Sequence, residues 1–88
     1  SRRRTMTDKE VFVYIASILT TIADSERNGL PVPLGPMYAA LMGRIDYSEW
    51  EALIGVLVYG KLATKTAETI ALTDEGRELA TRCAAVAQ

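Results

Sequence analysis

The second half of the sequence, residues 38–80, has an order of segments that few small folds share. An apolar helical segment is followed by a polar turn and a second apolar helical segment, then by Gly60-Lys61-Leu62 and two short β-prone runs. The stretch closes with Leu72-Thr73-Asp74-Glu75-Gly76, in which Thr73 is typical of a helix N-cap. This order predicts two packed helices, a hairpin and a closing helix.

The length and composition of the chain are consistent with one folded domain. Its 88 residues are 49% hydrophobic, which is enough apolar material for a packed core. We therefore predict a single domain over residues 7–88, preceded by a flexible basic arm over residues 1–6. Because Met6 resembles a natural start residue, an artificial origin of residues 1–5 stays open.

A capping box predicts the start of the first helix. In Thr7-Asp8-Lys9-Glu10 the Thr7 hydroxyl can accept from the Glu10 amide, while the Glu10 carboxylate can accept from the Thr7 amide. The helix is expected to end near Arg27, with Gly29 in the left-handed conformation just beyond it.

This first helix carries more apolar residues than one packing surface needs. Its inner stripe is predicted to consist of Val11, Phe12, Ile15, Leu19 and Ile22. A second set widens the stripe and comprises Val13, Tyr14 and Ile18. Either the helix crosses the middle of the domain, or the second set forms a homodimer interface with the same helix of another subunit.

Three prolines interrupt the chain between the first and second helices. Proline lacks an amide donor and fixes its backbone, so residues 30–36 are predicted to form a stiff connector with an edge strand near Val32 rather than a helix. The second helix is predicted over residues 37–42, with Pro36 at its first turn and Gly43 at its end.

The third helix begins at a second capping box and is followed by the hairpin. Asp46 is the predicted N-cap, Glu49 completes the box, and Gly60 ends the helix. The predicted core positions of this helix are Trp50, Leu53, Ile54, Leu57 and Val58. Strands are predicted over residues 61–65 and 69–72, and a last helix over residues 74–85. The inward positions of that last helix are predicted to be Leu79, Cys83 and Val86.

Taken together, these segments resemble the winged helix-turn-helix superfamily, in particular the small MarR- and PadR-like regulators. The resemblance rests on Tyr38-Ala39-Ala40-Leu41, on residues 53–57, on Gly60-Lys61-Leu62 and on Leu72-Thr73-Asp74-Glu75-Gly76. It implies a mainly α fold with a small β-hairpin (α+β): a long N-terminal helix, three further helices and a two-stranded wing. It also implies a transcriptional regulator that binds double-stranded DNA as a dimer.

The resemblance places the third helix in the major groove of DNA, where Arg, Lys, Asn and Gln do most of the reading. None of these residue types occurs in residues 46–59, and the net charge of −1 supplies no general attraction. The predicted groove-facing residues are Ser48, Glu49, Ala52 and Gly55. The predicted phosphate contacts are Arg44, Lys61 and Lys65, with Arg2, Arg3 and Arg4 of the arm. These cations are also compatible with ordinary solvated charges.

An alternative function is a protein–protein interaction module without direct DNA contact. Ala52 and Gly55 are small and Tyr59 follows one turn later, so the third helix could offer a shallow strip to a protein partner. The carboxylates of this helix favour the alternative. DNA binding is preferred slightly, on the strength of the resemblance alone.

The sequence contains no recognisable catalytic or metal-binding group. Cys83 is the only cysteine and there is no histidine, so no disulfide or zinc site is expected, and Cys83 is interpreted as a buried structural thiol. We predict no enzyme activity and no cofactor. The apolar run at residues 11–22 is too short to span a membrane, and the cysteine usage is typical of a reducing compartment, so a cytoplasmic protein is expected.

Overall fold

The computed structural model describes residues 6–41 and 43–87, which form a mainly helical fold with one small antiparallel sheet. The helices are α1 (Asp8–Arg27), α2 (Leu34–Leu41), α3 (Tyr47–Tyr59) and α4 (Asp74–Ala87). The strands are β1 (Val32–Pro33), β2 (Ala63–Lys65) and β3 (Thr69–Leu72). The predicted α+β class is therefore confirmed. Arg2, Arg3 and Arg4 of the predicted arm lie outside the described residues, whereas Met6 packs against the core and does not belong to an arm.

Helix α1 begins and ends where local sequence signals predict. The Thr7 hydroxyl accepts from the Glu10 amide at 3.1 Å, and the Thr7 amide donates to the Glu10 carboxylate at 3.0 Å. Beyond Arg27 the backbone of Gly29 has a φ of 73°, which glycine adopts at little cost because it lacks a Cβ atom.

The core surrounds the C-terminal half of α1, which packs against α4, the sheet and α3. Ile18, Leu19 and Ile22 are fully buried there against Leu53 and Leu57 of α3. Burial of such side chains stabilises a fold by about 1.5–3 kcal/mol each. The N-terminal half of α1 is less covered, and Phe12, which we predicted to face inward, is 59% exposed. The predicted inner stripe is therefore right at Leu19 and Ile22 and wrong at Phe12, while Ile18, which we assigned to the second set, belongs to the buried stripe.

The sheet has three strands in the order β1-β3-β2, rather than the two predicted. Val32 pairs with Ile70 on one side of β3, and Ala63 pairs with Leu72 on the other. β2 starts two residues later than predicted because Lys61 lies in the left-handed region, with a φ of 61°, and turns the chain out of α3. Gly60 ends α3 as predicted, with a negative φ of −78°.

Helix α2 starts three residues earlier than predicted, at Leu34. Pro36 is its third residue, where a missing amide leaves no helical hydrogen bond unmade. The Leu34 amide instead donates to the Glu68 carbonyl at 2.9 Å, so β1 runs directly into α2. The predicted end at Met42 lies outside the described residues, and Gly43 lies in the turn that follows.

Helix α4 is joined to the hairpin by Thr73 and Gly76. The Thr73 hydroxyl accepts from the Gly76 amide at 3.1 Å and donates to the Lys61 carbonyl at 2.7 Å. A Cβ atom on Gly76 would clash with the Leu62 carbonyl, so this position requires glycine. α4 extends to Ala87 rather than Ala85, and the predicted inward orientation of Val86 concerns a side chain outside those described.

Candidate functional site

An open groove lies between α2, α3 and the β2–β3 hairpin, with a volume of about 470 Å³. We call it the aromatic groove. Its α2 wall consists of Leu34, Gly35 and Tyr38, and its hairpin wall consists of Lys65 and Ala67. The α3 side consists of Tyr47, Trp50, Glu51, Ile54, Gly55, Val58 and Tyr59. Of the four α3 residues predicted to face DNA, only Gly55 lines this groove, whereas Ser48, Glu49 and Ala52 lie outside its lining.

Four aromatic side chains dominate this groove. The Tyr38 ring packs edge-on against Tyr47, with ring centroids 5.5 Å apart, and lies 5.6 Å from the Trp50 ring. Tyr47 is 57% exposed and Tyr59 is 88% exposed. Exposed tyrosine rings are enriched at protein interfaces because they give much contact area for little loss of side-chain entropy.

Gly55 keeps the middle of the groove open. A Cβ atom added there would lie 3.8 Å from the Cδ2 and Cε2 atoms of Tyr59 and would meet no backbone. Of the strip predicted on the third helix, Gly55 and Tyr59 line the groove, whereas Ala52 is exposed outside its lining. The strip is thus part of a wider concave surface that α2 and the hairpin complete.

Trp50 lines the groove although its side chain is almost fully buried. The residue is 4% exposed, packs in the core and lines the groove. Within the described part of the chain its indole N–H donates to no acceptor, and no side-chain nitrogen is both fully buried and unpaired. The indole N–H is therefore an unused donor that solvent or a ligand can reach.

The start of α3 is closed by its own side chains. The Asp46 carboxylate accepts from the Glu49 amide at 2.8 Å and from the Ser48 hydroxyl at 3.0 Å. The Glu49 carboxylate accepts from the Asp46 amide at 2.9 Å. Ser48 and Glu49, both predicted to face DNA, are thus engaged in the cap, and two carboxylates occupy the end of the helix that would attract a phosphate.

The cations near α3 differ from the arginines of α1 and α4 in forming no ion pair with another described residue. Arg27, Arg77 and Arg82 each form ion pairs with carboxylates of α1 or α4 at 2.7–3.4 Å. Among the described residues, no ion pair involves Arg44, Lys61 or Lys65, which are all exposed. Of these three, Lys65 lines the aromatic groove, together with the equally unpaired Glu51.

The predicted dimer surface on α1 is corrected at one of its three positions. Ile18 is 1% exposed within a single chain, so its side chain is not available to a second subunit. Tyr14 is half-buried against the core, and Val13 is exposed. Phe12 is the exposed neighbour that sequence reasoning assigned to the inner stripe, and it joins Val13 on the uncovered part of α1.

The described residues offer little for other chemistry. They contain no group of three or more acidic, cysteine or histidine side chains placed to hold a metal ion, and Cys83 is buried. None of the described helices is long and apolar enough to cross a bilayer. A second groove of about 310 Å³ lies between α1 and α2 and is mostly apolar, with Ser17 and Thr21 on its α1 side.

Tyr38, Tyr47 and Trp50 are the groove residues whose role the sequence did not indicate. Their spacing along the chain gives only core and cap positions, and no local pattern brings α2 beside α3. Comparisons of this chain with protein-family models, with characterised proteins and with solved structures found no match.

Proposed function

We propose that this chain is a winged-helix domain that recognises a protein partner through the aromatic groove. Support for the winged-helix assignment comes from the order α1, β1, α2, α3, β2, β3, and from the strand order β1-β3-β2, in which the first strand joins the far side of the hairpin. α3 then corresponds to the helix that such a domain presents to its ligand. The observation that carries the function is the concave, aromatic surface that includes this helix.

Two features of the groove favour protein over duplex DNA. Its exposed surface consists largely of tyrosine rings, with one carboxylate and one ammonium group. DNA affinity depends mainly on cations that contact phosphates, and α3 supplies none, while Glu51 would repel them. A groove of this composition matches the aromatic-rich, charge-poor centres of protein interfaces.

A random-peptide display selection against the whole chain tests this function. Selected peptides are then measured against Gly55→Leu, which adds bulk to the groove lining at a position where a Cβ atom meets only the Tyr59 ring, and against Phe12→Ala, which removes an exposed aromatic ring outside the groove lining. We expect binding to be lost in Gly55→Leu and kept in Phe12→Ala. Selected peptides that bind Gly55→Leu as tightly as the unchanged chain would contradict the proposal.

Duplex DNA binding is a second candidate, favoured by the unpaired cations Arg44, Lys61 and Lys65. A domain of this kind would act as a transcriptional regulator and would bind DNA as a homodimer. Arg44, Lys61 and Lys65 would contact the DNA phosphates. The test is fluorescence anisotropy of a labelled duplex at low and moderate salt. The double variant Arg44→Glu, Lys65→Glu should weaken binding and flatten its salt dependence.

The matched control for that test is Arg27→Glu, Arg82→Glu, which changes the net charge equally on α1 and α4, where both arginines are already paired. Equal affinity of the two double variants would mean that only general charge is sensed and would count against a specific DNA surface. A chain without residues 1–5 separates any contribution of Arg2, Arg3 and Arg4.

A further inference from the structure

One side of α3 is apolar and is not covered by the rest of the chain. Ala52 is exposed, Val56 is 51% exposed and Tyr59 is 88% exposed. Gly55 lies between them on the same side, because residues three and four apart are neighbours on a helix surface. We call these four residues the α3 face. An exposed apolar surface of this kind is typical of a contact with another protein.

The sizes of the four side chains match those of an antiparallel copy of the same helix. From the N-terminus to the C-terminus, two small residues, Ala52 and Gly55, are followed by two larger ones, Val56 and Tyr59. A second α3 that runs in the opposite direction, centred between Gly55 and Val56, places Tyr59 over the copy's Ala52. The same register places Val56 over the copy's Gly55. Each larger side chain then meets a small one, as required when the ridges of one helix fill the grooves of another.

The charges at the two ends of α3 follow the same arrangement. Glu49 and Glu51 flank the α3 face near its N-terminus, Lys61 follows its C-terminus, and residues 46–59 contain no cation. Neither Glu51 nor Lys61 forms an ion pair with another described residue. The helical rise from Glu51 to Tyr59 is about 12 Å, so the two charges are far apart within one chain. In the antiparallel pair, Lys61 of each copy lies beside Glu49 and Glu51 of the other.

One centre accounts for both patterns, and this selects a second copy over an unrelated protein. A two-fold interface uses the same surface twice, so its two halves must complement each other about a single point. The α3 face does so in size and in charge about the point between Gly55 and Val56. Antiparallel packing also brings the carboxylates of each helix to the negative end of the other only where Lys61 offsets them.

We propose that the partner recognised at the aromatic groove is a second copy of this chain, whose α3 packs antiparallel against the α3 face. Gly55 and Tyr59 belong both to this face and to the lining of the groove. The inference therefore rests on the protein-recognition function proposed above and identifies its partner. The contact is one helix wide, so the dimer is weak and its population rises with concentration.

Sedimentation equilibrium of the full chain over a range of concentrations tests this proposal through an exchange of charges. Glu51→Lys and Lys61→Glu each place like charges at both ends of the pair, and each should weaken the dimer about fivefold at low salt. An equimolar mixture of the two variants should regain most of the affinity, because only the mixed pair has unlike charges at both ends. The double variant Glu51→Lys, Lys61→Glu should regain it within a single kind of chain.

A second set of variants tests the apolar contacts. Tyr59→Ala should weaken the dimer about tenfold, because the two-fold arrangement uses this ring twice. Tyr59 is nearly fully exposed in one chain, so its removal leaves the core unchanged. The matched control is Phe12→Glu, Val13→Glu, which alters exposed apolar residues of α1 and should leave this dimer intact.

Several outcomes would overturn the proposal. These are a chain that stays monomeric at every concentration, a dimer that Tyr59→Ala leaves intact, or charge variants whose mixture associates no better than each alone. Dissociation by the α1 control variant would assign the contact to α1 instead. If the chain is monomeric but display-selected peptides depend on Gly55, the second-copy inference fails and protein recognition stands. If no selected peptide depends on Gly55 either, both fail.

Discussion

Gly55 and Gly76 both lie within helices, yet the space around them predicts opposite effects of the same substitution. Gly76→Ala places a methyl group against the Leu62 carbonyl and should lower the free energy of unfolding by about 2 kcal/mol. Gly55→Ala meets only the Tyr59 ring at 3.8 Å and should raise it by about 0.5–1 kcal/mol, because alanine restricts the unfolded chain. Urea denaturation followed by circular dichroism measures both values.

The two alanine variants are each other's control, because they make the same chemical change in helices of one domain. If Gly76→Ala stabilised the chain, α4 would be able to move away from Leu62, the residue before β2, without loss of folding free energy. The close approach of α4 to Leu62 would then not be a constraint on the fold.

Lys61 occupies a backbone conformation that costs L-residues about 1–2 kcal/mol. Lys61→Gly removes this cost but adds freedom to the unfolded chain, so the net gain in the free energy of unfolding should be about 0.5 kcal/mol. Lys61→Val should instead lose at least about 1 kcal/mol, since β-branched residues fit positive φ poorly. Thermal melts check the order glycine, lysine, valine, and any other order contradicts the argument.

At the scale of elements, Thr73 ties the end of the hairpin to two neighbours at once. Its hydroxyl accepts from the first turn of α4 and donates to the turn that follows α3. Thr73→Ala should lower the free energy of unfolding by about 1–2 kcal/mol, whereas Thr73→Ser keeps both hydrogen bonds and should lose much less. Equal losses in the two variants would assign the effect to the methyl group instead.

The elements best predicted from the sequence are those specified by a few neighbouring residues. Both capping boxes, at Thr7 and at Asp46, form as expected because donor and acceptor are three residues apart. The predicted start of α2 at Met37 is three residues late, because the first helical turn tolerates proline at several positions and Pro36 does not show which of them it occupies. The pairing of β1 with β3 joins residues 38 positions apart, Val32 and Ile70, and no local pattern encodes such a contact.

The candidate site could be predicted only in part, for the same reason. Gly55 and Tyr59 share a face of α3 by simple helical periodicity, and this much was visible in the sequence. The groove is concave because α2 and the hairpin lie on either side of α3. The turn at Arg44 places α2 there, and the sheet places the hairpin. Helical spacing predicted that Trp50 would be buried, but its contact with the Tyr38 ring depends on that packing and not on its neighbours in sequence.

At the scale of the whole molecule, the predicted homodimer would use the exposed half of α1. Phe12 and Val13 are both exposed there, and burial in a homodimer would remove them from water. Phe12→Glu, Val13→Glu should convert such a dimer to a monomer without changing the helical signal. Sedimentation equilibrium gives the mass of each form.

The control for this test adds two carboxylates at exposed positions elsewhere, as Ala39→Glu, Ala52→Glu. A mass that falls equally in both double variants would point to a general effect of negative charge. A monomeric unchanged chain, or a dimer that survives the α1 variant, would contradict the predicted interface.

The bond from the Leu34 amide to the Glu68 carbonyl has a consequence for how such a domain can change over generations. It joins two walls of the aromatic groove through main-chain atoms, which do not change when exposed side chains are substituted. Exposed positions such as Tyr47, Glu51, Tyr59 and Lys65 are therefore open to replacement while the framework persists. A descendant could acquire a new partner by a few surface substitutions, and the same freedom makes the groove a scaffold for selecting binders in the laboratory.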